Sequence, residues 1–538
     1  MTAENMDSSA RPVPLTNFEK RFRHPPGLFI LFFAEMWERF SYYGMRGLLK
    51  LYMVNFLFVS MRQQYQGNTK DLVPGNPSDV IGWDMISQVV PGNIGAKASL
   101  LYGLYTGLVY LTPVFGGVLA DRVLGQRKTV VVGGILMAIG HFVMAFENLF
   151  FVALLLLILG NGAFKPNIST QVGNLYPAGD PRRDGAFTIF YMGINLGAFI
   201  CNFICGTLAA VYGWHYGFAA AGVGMIIGLV VYLMGQKYLA PDNLTKVKQA
   251  RADGGAAPTA VAVPAKVNAI TMGLLGLDIL IVIGTIVYGV SEGWTVNMMI
   301  AILFFLTAAF FTFRLRQTAP TLETKEWHAV IALVGLCLLN VVFWAVYEQQ
   351  GNTMQTWADE KTVWPVILGF QVPSTWFQSF NPFCIFVFAP LLDIFWRWQD
   401  KRGGQPSSVT KMAIGSVVLG LSFIVMVIGA QAVGDGKGSM FWPLFCTLLL
   451  TFGELYLSPI GLSLVTKVSP ARIVSMMMGM WFLSSFLGNY LSGFIGTFYE
   501  NKVVTPDVFF IILTCLGVGT GIAMFAFNKP LRRAIGSV

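Results

Sequence analysis

Long apolar stretches recur along almost the whole 538-residue chain, from Gly27 to Phe527. Many contain about eighteen residues or more, which is enough to cross a bilayer as a helix. Hydrophobic residues make up 55% of the chain and charged residues 12%, whereas about a quarter of an ordinary soluble domain is charged. A helix satisfies its own backbone polar groups in lipid, and a β-barrel would show short alternating segments instead. The sequence therefore predicts an all-α polytopic membrane protein.

We predict fourteen membrane-spanning helices, at 27–58, 95–120, 128–147, 149–173, 185–211, 214–236, 269–290, 296–316, 326–350, 374–398, 410–433, 439–467, 472–498 and 506–528. The first is too long to be a cleaved signal peptide and is expected to stay in the protein. The six cysteines fall within these helices, without the spacing of a metal site or a disulfide framework: Cys201, Cys205, Cys337, Cys384, Cys446 and Cys515. We therefore expect no metal, and the chain contains no motif for another cofactor.

The positive charge of the chain is distributed unevenly between alternate loops. Of the 36 Lys and Arg residues, 26 fall in the N terminus, the C-terminal tail and one set of loops with their helix ends, six fall on the other side, and four lie within spans. Cytoplasmic loops carry such an excess of Lys and Arg. We therefore predict that both termini are cytoplasmic in a multi-pass protein of the cell (inner) membrane, and that the net charge of +9 sets topology and does not bind nucleic acid.

The helices divide into groups of six, two and six. The segment from Pro241 to Lys266 is rich in Ala, Gly, Pro and charge and is typical of a linker. The predicted organisation is a cytoplasmic N terminus at 1–26, a six-helix bundle at 27–236, a cytoplasmic linker with two additional helices at 237–325, a second six-helix bundle at 326–528 and a cytoplasmic tail at 529–538.

The first predicted helix contains five ionisable side chains: Glu35, Glu38, Arg39, Arg46 and Lys50. At about 100° per residue, Glu35, Arg39, Tyr42 and Arg46 fall within roughly 60° of one another, and Glu38 and Lys50 flank them. A charge at the bilayer centre costs about 2.5–3.5 kcal/mol even on permissive scales, so the charged face cannot contact lipid. We expect these residues to line a water-filled cavity and to pair with one another. The alternative is a structural salt-bridge network that holds helices together.

Several segments resemble known transporter motifs. The loop GVLADRVLGQRK, from Gly117 to Lys128, resembles the loop signature of the major facilitator superfamily. The segment EMWERFSYYGMR from Glu35 to Arg46 resembles the ExxERFxYYG motif of the proton-dependent oligopeptide transporter (POT) family, and FYMGINLGAF from Phe190 to Phe199 resembles its FYxxINxGSL signature except at the last two positions. Further likenesses lie in GNGAFKPNIS, FWAVYEQQG, QSFNPF, GELYLSP and the later Trp481.

This resemblance implies the major facilitator fold, with two six-helix bundles and the two extra helices usual in bacterial members. It also implies a function, proton-coupled symport of di- and tripeptides by alternating access. Animal relatives carry a histidine on the second helix where this chain has Gly103, so we expect carboxylates to carry the proton. The partners implied are di- and tripeptides, protons and the lipid bilayer, and we expect a monomer.

The resemblance also implies roles for individual residues. Proton coupling falls to Glu35, Glu38, Arg39 and Glu348. Substrate binding falls to Arg39, Tyr42, Arg46, Tyr110, Lys165, Asn195, Trp344, Asn381, Glu454 and Trp481. Burial favours a neutral carboxyl group and a neighbouring Arg favours the ionised one, so a proton and a peptide can compete for one partner. We hypothesise that protonation of Glu35 or Glu38 releases Arg39 to bind the peptide carboxylate.

Two other interpretations remain open. The first is proton-coupled transport of another small solute, such as nitrate or a drug-like or peptidomimetic molecule, as some relatives of the family carry. The second is a membrane enzyme or receptor built on the same charged cavity. The chain contains no nucleophile–histidine pair, no metal-ligand cluster and no GxxxxGK[ST] phosphate loop. We therefore expect the protein not to be an enzyme, and expect a proton gradient as its energy source.

Overall fold

The computed structural model describes residues 21–58, 79–177, 180, 182–242, 280–286, 288, 291, 293–318, 322–470 and 473–535. The helices of the first half are α1 Pro26–Tyr52, α2 Trp83–Val89, α3 Ile94–Leu119, α4 Gln126–Val143, α5 Phe150–Asn174, α6 Arg182–Cys201, α7 Thr207–Tyr212 and α8 Trp214–Gly235. Those that follow are α9 Val296–Thr318, α10 Thr324–Tyr347, α11 Thr353–Glu360, α12 Phe380–Lys401, α13 Ser408–Val433, α14 Phe441–Val468, α15 Val474–Glu500 and α16 Pro506–Ile535.

Irregular turns and four very short strands connect the helices in the described part of the chain. π-Helical turns extend three helices, at Met53–Leu57, Ala120–Leu124 and Asn202–Gly206. The strands are β1 Thr362–Val363, β2 Val366–Ile367, β3 Phe370–Gln371 and β4 Gly438–Ser439. β1 pairs with β4 in parallel, and β2 pairs with β3 as an antiparallel hairpin. These strands lie in connections between long helices and build no sheet that could span a membrane.

The predicted spans agree well with the observed helices. Within the described residues, ten helices are long and apolar enough to cross a membrane. α1 is not among these ten, because its charged side chains interrupt the apolar sequence. The predicted span 269–290 lies mostly outside the described residues, although 280–286 are helical. The short helices α2 and α11 were not predicted, whereas α7 lies within the predicted span 185–211. The predicted domain boundaries stay a prediction.

Two hydrophobic cores correspond to the two bundles. The first core is built mainly from residues between Leu28 and Leu239, where α1 packs on α6 and α8, and α5 packs on α3 and α4. The second is built from residues between Ala329 and Met524, where α13 packs on α14 and α16, and α10 packs on α15 and α16. The bundles meet through α3 with α15 and α6 with α12. The fold therefore consists of two six-helix units with an interface between them.

Small residues allow helices within each bundle to approach closely. A Cβ atom placed on Gly133 of α4 would lie 2.6 Å from the carbonyl oxygen of Gly160 on α5. The same relation holds in the second bundle, where a Cβ on Gly415 would lie 2.6 Å from the carbonyl oxygen of Gly453. In lipid, helix association depends on such close van der Waals packing, since both helices are already in an apolar medium. Both bundles therefore use a close contact between glycines where two helices cross, α4 with α5 in the first and α13 with α14 in the second.

Candidate functional site

A cavity of about 280 Å³ lies between the two bundles. Its walls come from α1, α3, α5 and α6 on one side and from α10, α12, α14 and α15 on the other. Of the thirteen different residues predicted to form the site, ten line this cavity: Arg39, Arg46, Tyr110, Lys165, Asn195, Trp344, Glu348, Asn381, Glu454 and Trp481. Side chains up to 442 positions apart in sequence, Arg39 and Trp481, thus share one space. The predicted charged cavity is present.

Glu35 and Glu38 lie behind Arg39 and do not line the cavity. Arg39 Nε donates a hydrogen bond to Glu35 Oε1 at 2.9 Å and lies 2.5 Å from Glu38 Oε2. The three side chains are at most 3% exposed. Asn161 of α5 donates to Glu38 Oε1 at 2.9 Å and holds the second carboxylate in place. One guanidinium is therefore shared by two buried carboxylates, as the stripe on α1 predicts.

This cluster is incompletely hydrogen-bonded. Among the described residues, Arg39 Nη2 and Glu35 Oε2 have no hydrogen-bond partner although both are buried. An unpaired buried polar atom costs free energy, and such atoms call for an explanation. Because Arg39 also lines the cavity, its guanidinium combines an unsatisfied donor with a position beside that space.

Cationic groups concentrate on the wall that the first bundle contributes. Arg39, Arg46 and Lys165 all line the cavity. The Lys165 ammonium lies 4.5 Å from the ring centroid of Tyr110, a cation–π contact. No ion pair joins Lys165 to another described residue. This wall is therefore positively charged and suited to a carboxylate or another anion.

The opposite wall contains a carboxylate held by neutral donors. The Tyr347 hydroxyl donates to Glu454 Oε2 at 2.7 Å, and Asn381 Nδ2 donates to the same oxygen at 3.1 Å. Asn381 is itself fixed by a 2.9 Å bond to Thr451 Oγ1. No ion pair joins Glu454 to another described residue, so it gives this wall a negative pole. The cavity thus has opposite charges on its two sides.

Asn195 and the aromatic residues complete the cavity wall. Asn195 Nδ2 donates to the Tyr191 carbonyl oxygen at 3.0 Å, and no described residue donates to its amide oxygen. The buried indole nitrogen of Trp344 has no partner among the described residues. Tyr42, predicted as part of a side-chain pocket, does not line the cavity, whereas its neighbour Tyr43 does. Tyr42 is 3% exposed, with its ring 5.4 Å from the Arg39 guanidinium carbon, so it packs behind the site.

Arg46 and Glu348 form an ion pair between the two bundles at one end of the cavity. Arg46 Nε also donates to the Tyr102 hydroxyl at 2.7 Å. Glu348 is 2% exposed and Arg46 is 13% exposed at the side chain. Both residues were predicted to belong to the site, Arg46 for substrate binding and Glu348 for proton coupling, whereas Tyr102 is an additional partner from α3.

A second polar cluster lies further along α1, beyond this ion pair. Lys50 Nζ donates to Glu500 Oε1 at 2.7 Å and to Asn352 Oδ1 at 2.6 Å. Ser99 donates to the same Asn352 oxygen at 2.9 Å, and Thr356 donates to Glu500 Oε1 at 3.0 Å. Lys50 is a charged residue of the predicted stripe, but it pairs across the bundle interface outside the cavity.

The cavity is closed at the end that contains Lys50. Every hydrogen bond described between the two bundles lies toward this end, including Asn55 with Asp359 at 3.0 Å and Ser379 with the Phe199 carbonyl at 2.7 Å. The backbones of α3 and α15 also touch here, because a Cβ on Gly103 would lie 2.7 Å from the Cα of Gly493. A histidine cannot fit at position 103 in this packing; that carboxylates carry the proton stays a prediction.

The histidines of the described residues take no part in the cavity wall. His141 is buried and lies 2.5 Å from the Ser41 hydroxyl, on a face of α1 away from the cavity. His24 Nδ1 lies 2.9 Å from the Tyr176 hydroxyl. Partial burial, together with the Arg182 guanidinium, lowers the pKa of His24 below its usual value.

Several partners in the site could not be read from the first helix alone. Asn161 lies in the segment GNGAFKPNIS, which also contains Lys165. An amide side chain near this lysine in an apolar segment could have identified Asn161 as a site residue. Tyr43 lies in the YYG motif of α1, and Tyr347 directly precedes Glu348 in the sequence. Glu500 ends α15 in the structure, two residues beyond the predicted span 472–498, and nothing in the sequence pointed to its role.

Comparison with known proteins agrees with this geometry. The sequence model of the POT family matches residues 127–512. A peptide transporter of Yersinia enterocolitica is 34% identical, with 88% of each chain covered. A di-/tripeptide transporter of Lactococcus lactis subsp. cremoris is 32% identical, covering 96% of this chain and 98% of that one. The crystal structure of a POT peptide transporter in complex with alafosfalin has a TM-score of 0.73 and 32% identity, covering 97% of this chain and 98% of that one.

Proposed function

This chain belongs to the POT family, and on that premise we propose that it is a proton-coupled symporter that imports di- and tripeptides by alternating access. The observation that carries the proposal is the pair of opposite poles in one cavity, with Arg39, Arg46 and Lys165 facing the wall that contains Glu454. A short peptide is a zwitterion with its charges at its two ends. Its carboxylate goes to the cationic wall and its amino group to Glu454. No cofactor takes part.

Hydrogen-bond donors and acceptors without partners suit the peptide backbone. Among the described residues, Arg39 Nη2 and the Trp344 indole nitrogen are donors without a partner on residues that line the cavity, and Asn195 contributes an amide oxygen as an acceptor. These contacts address groups that all peptides share. The aromatic rings of Tyr110, Trp344 and Trp481 leave apolar surface for side chains, which favours broad specificity.

Proton coupling follows from the shared guanidinium of Arg39. When both Glu35 and Glu38 are ionised, they hold Arg39 toward α1. A proton added to one carboxylate removes part of that attraction, and the guanidinium turns to the peptide carboxylate. The proton and the peptide then enter together. Moving one charge through about 100 mV releases about 2.3 kcal/mol, and one pH unit adds about 1.4 kcal/mol, so a concentration gradient of several hundred-fold is attainable.

The ion pair of Arg46 and Glu348 is the second protonation point. It joins the bundles at the closed end, and opening that end requires it to break. Protonation of Glu348 removes the attraction without leaving a buried unpaired anion. We assign Glu348 to the step that opens this end of the cavity.

The charge asymmetry of the loops supports an orientation. The end that contains Lys50 and Glu500 carries few Lys and Arg residues in its loops, whereas the opposite end carries most of them. We therefore place both termini in the cytoplasm and the closed end outside the cell membrane, so that the structure is an inward-facing state. A single chain supplies every wall of the cavity, which supports a monomer as the transporting unit.

The test is transport by the purified protein in liposomes with an inward proton gradient. Labelled dipeptide should accumulate, unlabelled tripeptides should compete, and free amino acids and nitrate should compete poorly because neither spans the two poles. Dissipating the gradient with a protonophore should abolish accumulation but leave peptide exchange. Competition by nitrate alone would overturn the peptide assignment, and accumulation without a gradient would overturn the coupling.

A further inference from the structure

A second concavity lies at the closed end, on the outside of the helices where α6 meets α12. It has a volume of about 340 Å³. The first bundle contributes Phe199 and Phe203, and the second contributes Trp364, Trp376 and Leu444 among others. We call it the α6–α12 groove. It shares no lining residue with the central cavity.

The polar atoms in the walls of the groove are already bonded within the protein. The Trp364 indole N–H donates to the Ala358 carbonyl oxygen at 2.6 Å, and the Trp376 indole N–H donates to Thr207 Oγ1 at 3.1 Å. The hydroxyl of Ser379 donates to a backbone carbonyl at 2.7 Å. The side chains of the groove therefore present hydrocarbon and aromatic surface to a ligand. A peptide or another polar solute would lose its hydration there without compensation.

The groove is continuous with the lipid-facing surface. Its helical walls belong to segments that are long and apolar enough to span a membrane, Gly185–Tyr212, Ser374–Lys401 and Phe441–Val468. Next to it, Phe386 and Phe445 are about half exposed on those helices. The β2–β3 hairpin borders the groove and carries Leu368, which is fully exposed, at its turn. Exposed apolar side chains at the end of a span are placed for contact with the bilayer.

We propose that the α6–α12 groove holds an acyl chain of a membrane lipid. Lipid acyl chains are the apolar ligand that surrounds membrane-spanning helices, and the groove opens on the surface of three such helices with a volume of about 340 Å³. Both bundles contribute walls: the Phe199 ring lies 5.8 Å from that of Phe383, and the Phe203 ring lies 4.7 Å from that of Trp376.

The occupancy of the groove by an acyl chain therefore depends on whether the transporter is open or closed at this end. When the bundles separate at the closed end, Phe199 and Phe203 move away from Phe383 and Trp376, and the groove loses one wall. A chain bound between them stabilises the state that is closed at this end.

The experiment uses the full-length protein in nanodiscs that contain a phospholipid with a photoreactive diazirine on its acyl chain. After irradiation, labelled peptides are identified by mass spectrometry. Label should concentrate on residues 364–383 and 440–444. The variant Leu444→Trp, which fills the groove, should lose this label several-fold. Phe445→Trp is the matched control, because it adds the same ring one position away on the exposed face, and it should keep the label.

A second variant is used if the first does not fold. If Leu444→Trp is not monodisperse, Met440→Trp fills the groove from its rim. Label spread evenly over the lipid-facing helices, or label in the groove that survives in a folded groove-filling variant, would overturn the proposal. Because this measurement uses no peptide and no gradient, its result is independent of the proposed transport function.

Discussion

Replacing Glu348 by Gln should uncouple the transporter while leaving it able to exchange peptides. The change removes the negative charge that Arg46 faces across the bundle interface, in a site where Glu348 is 2% exposed. Breaking a buried pair by removing one partner costs about 3–5 kcal/mol. The glutamine oxygen still accepts from Arg46, and the Tyr102 hydroxyl still accepts from Arg46 Nε, so the lower end of that range applies.

A loss of about 3 kcal/mol from the closed state corresponds to a shift of about 100-fold in the equilibrium between open and closed forms. Spin labels on Asp84 of α2 and on Val503 after α15, both exposed and on different bundles, should report a longer distance in Glu348→Gln. The exposed Cys515 is first replaced by Ser, since the other five cysteines are buried. A ten-fold change in an equilibrium corresponds to about 1.4 kcal/mol, and the expected loss from the closed state is larger than that. We therefore expect gradient-driven dipeptide uptake to fall by at least about ten-fold, while counterflow persists.

The control for this experiment is Asp393→Asn, which removes an ion pair with Arg397 on an exposed helix face. Such a pair contributes about 0–1 kcal/mol, so uptake should be unchanged. Equal loss of uptake and exchange in Glu348→Gln, with a loss of folded protein, would show that the residue is structural. Normal accumulation in the variant would refute the reasoning altogether.

Three further perturbations test other parts of the site. Glu454→Gln removes the negative pole and should raise the KM for dipeptides about ten-fold or more. Competition by N-acetylated dipeptides, which lack the charged amino group, should barely change. Equal effects on both kinds of peptide would contradict an amino-group site at Glu454. Lys50→Met removes a buried ammonium that joins the bundles, and should lengthen the same spin-label distance; an unchanged distance would show that this cluster does not hold the end closed. Gly103→Ala places a methyl group 2.7 Å from the Cα of Gly493 and should also open this end, whereas Gly117→Ala on the same helix meets nothing within 4 Å and should behave as wild type.

The sequence predicted those features of the site that depend on one helix. Glu35 and Arg39 are four positions apart, so the helical period alone places them side by side, and the structure confirms their contact. Burial of the stripe followed from the cost of charge in lipid. The residues from the second bundle were predicted through the family resemblance, because no local pattern connects Glu454 with Arg39.

The features that were missed depend on how helices pack. Tyr42 and Tyr43 differ by about 100° around α1, and only the tilt of that helix against its neighbours decides which ring faces the cavity. Glu500 pairs with Lys50 across 450 positions, which a single sequence does not reveal. The short helix α11 and the β2–β3 hairpin were missed because they are brief segments between long apolar runs, where hydropathy gives no boundary.

The proposed coupling depends on Glu35 and Glu38, because a proton that binds to one of these buried acids weakens the attraction that holds Arg39. The most direct measurement is peptide accumulation by Glu35→Gln/Glu38→Gln in liposomes, as a function of external pH at constant internal pH. Wild-type accumulation should rise as the external pH falls, because protonation from outside releases Arg39. The double variant should still exchange peptide, since Glu348 is unchanged, but should accumulate none at any external pH. Accumulation by the double variant with the pH dependence of wild type would contradict the account.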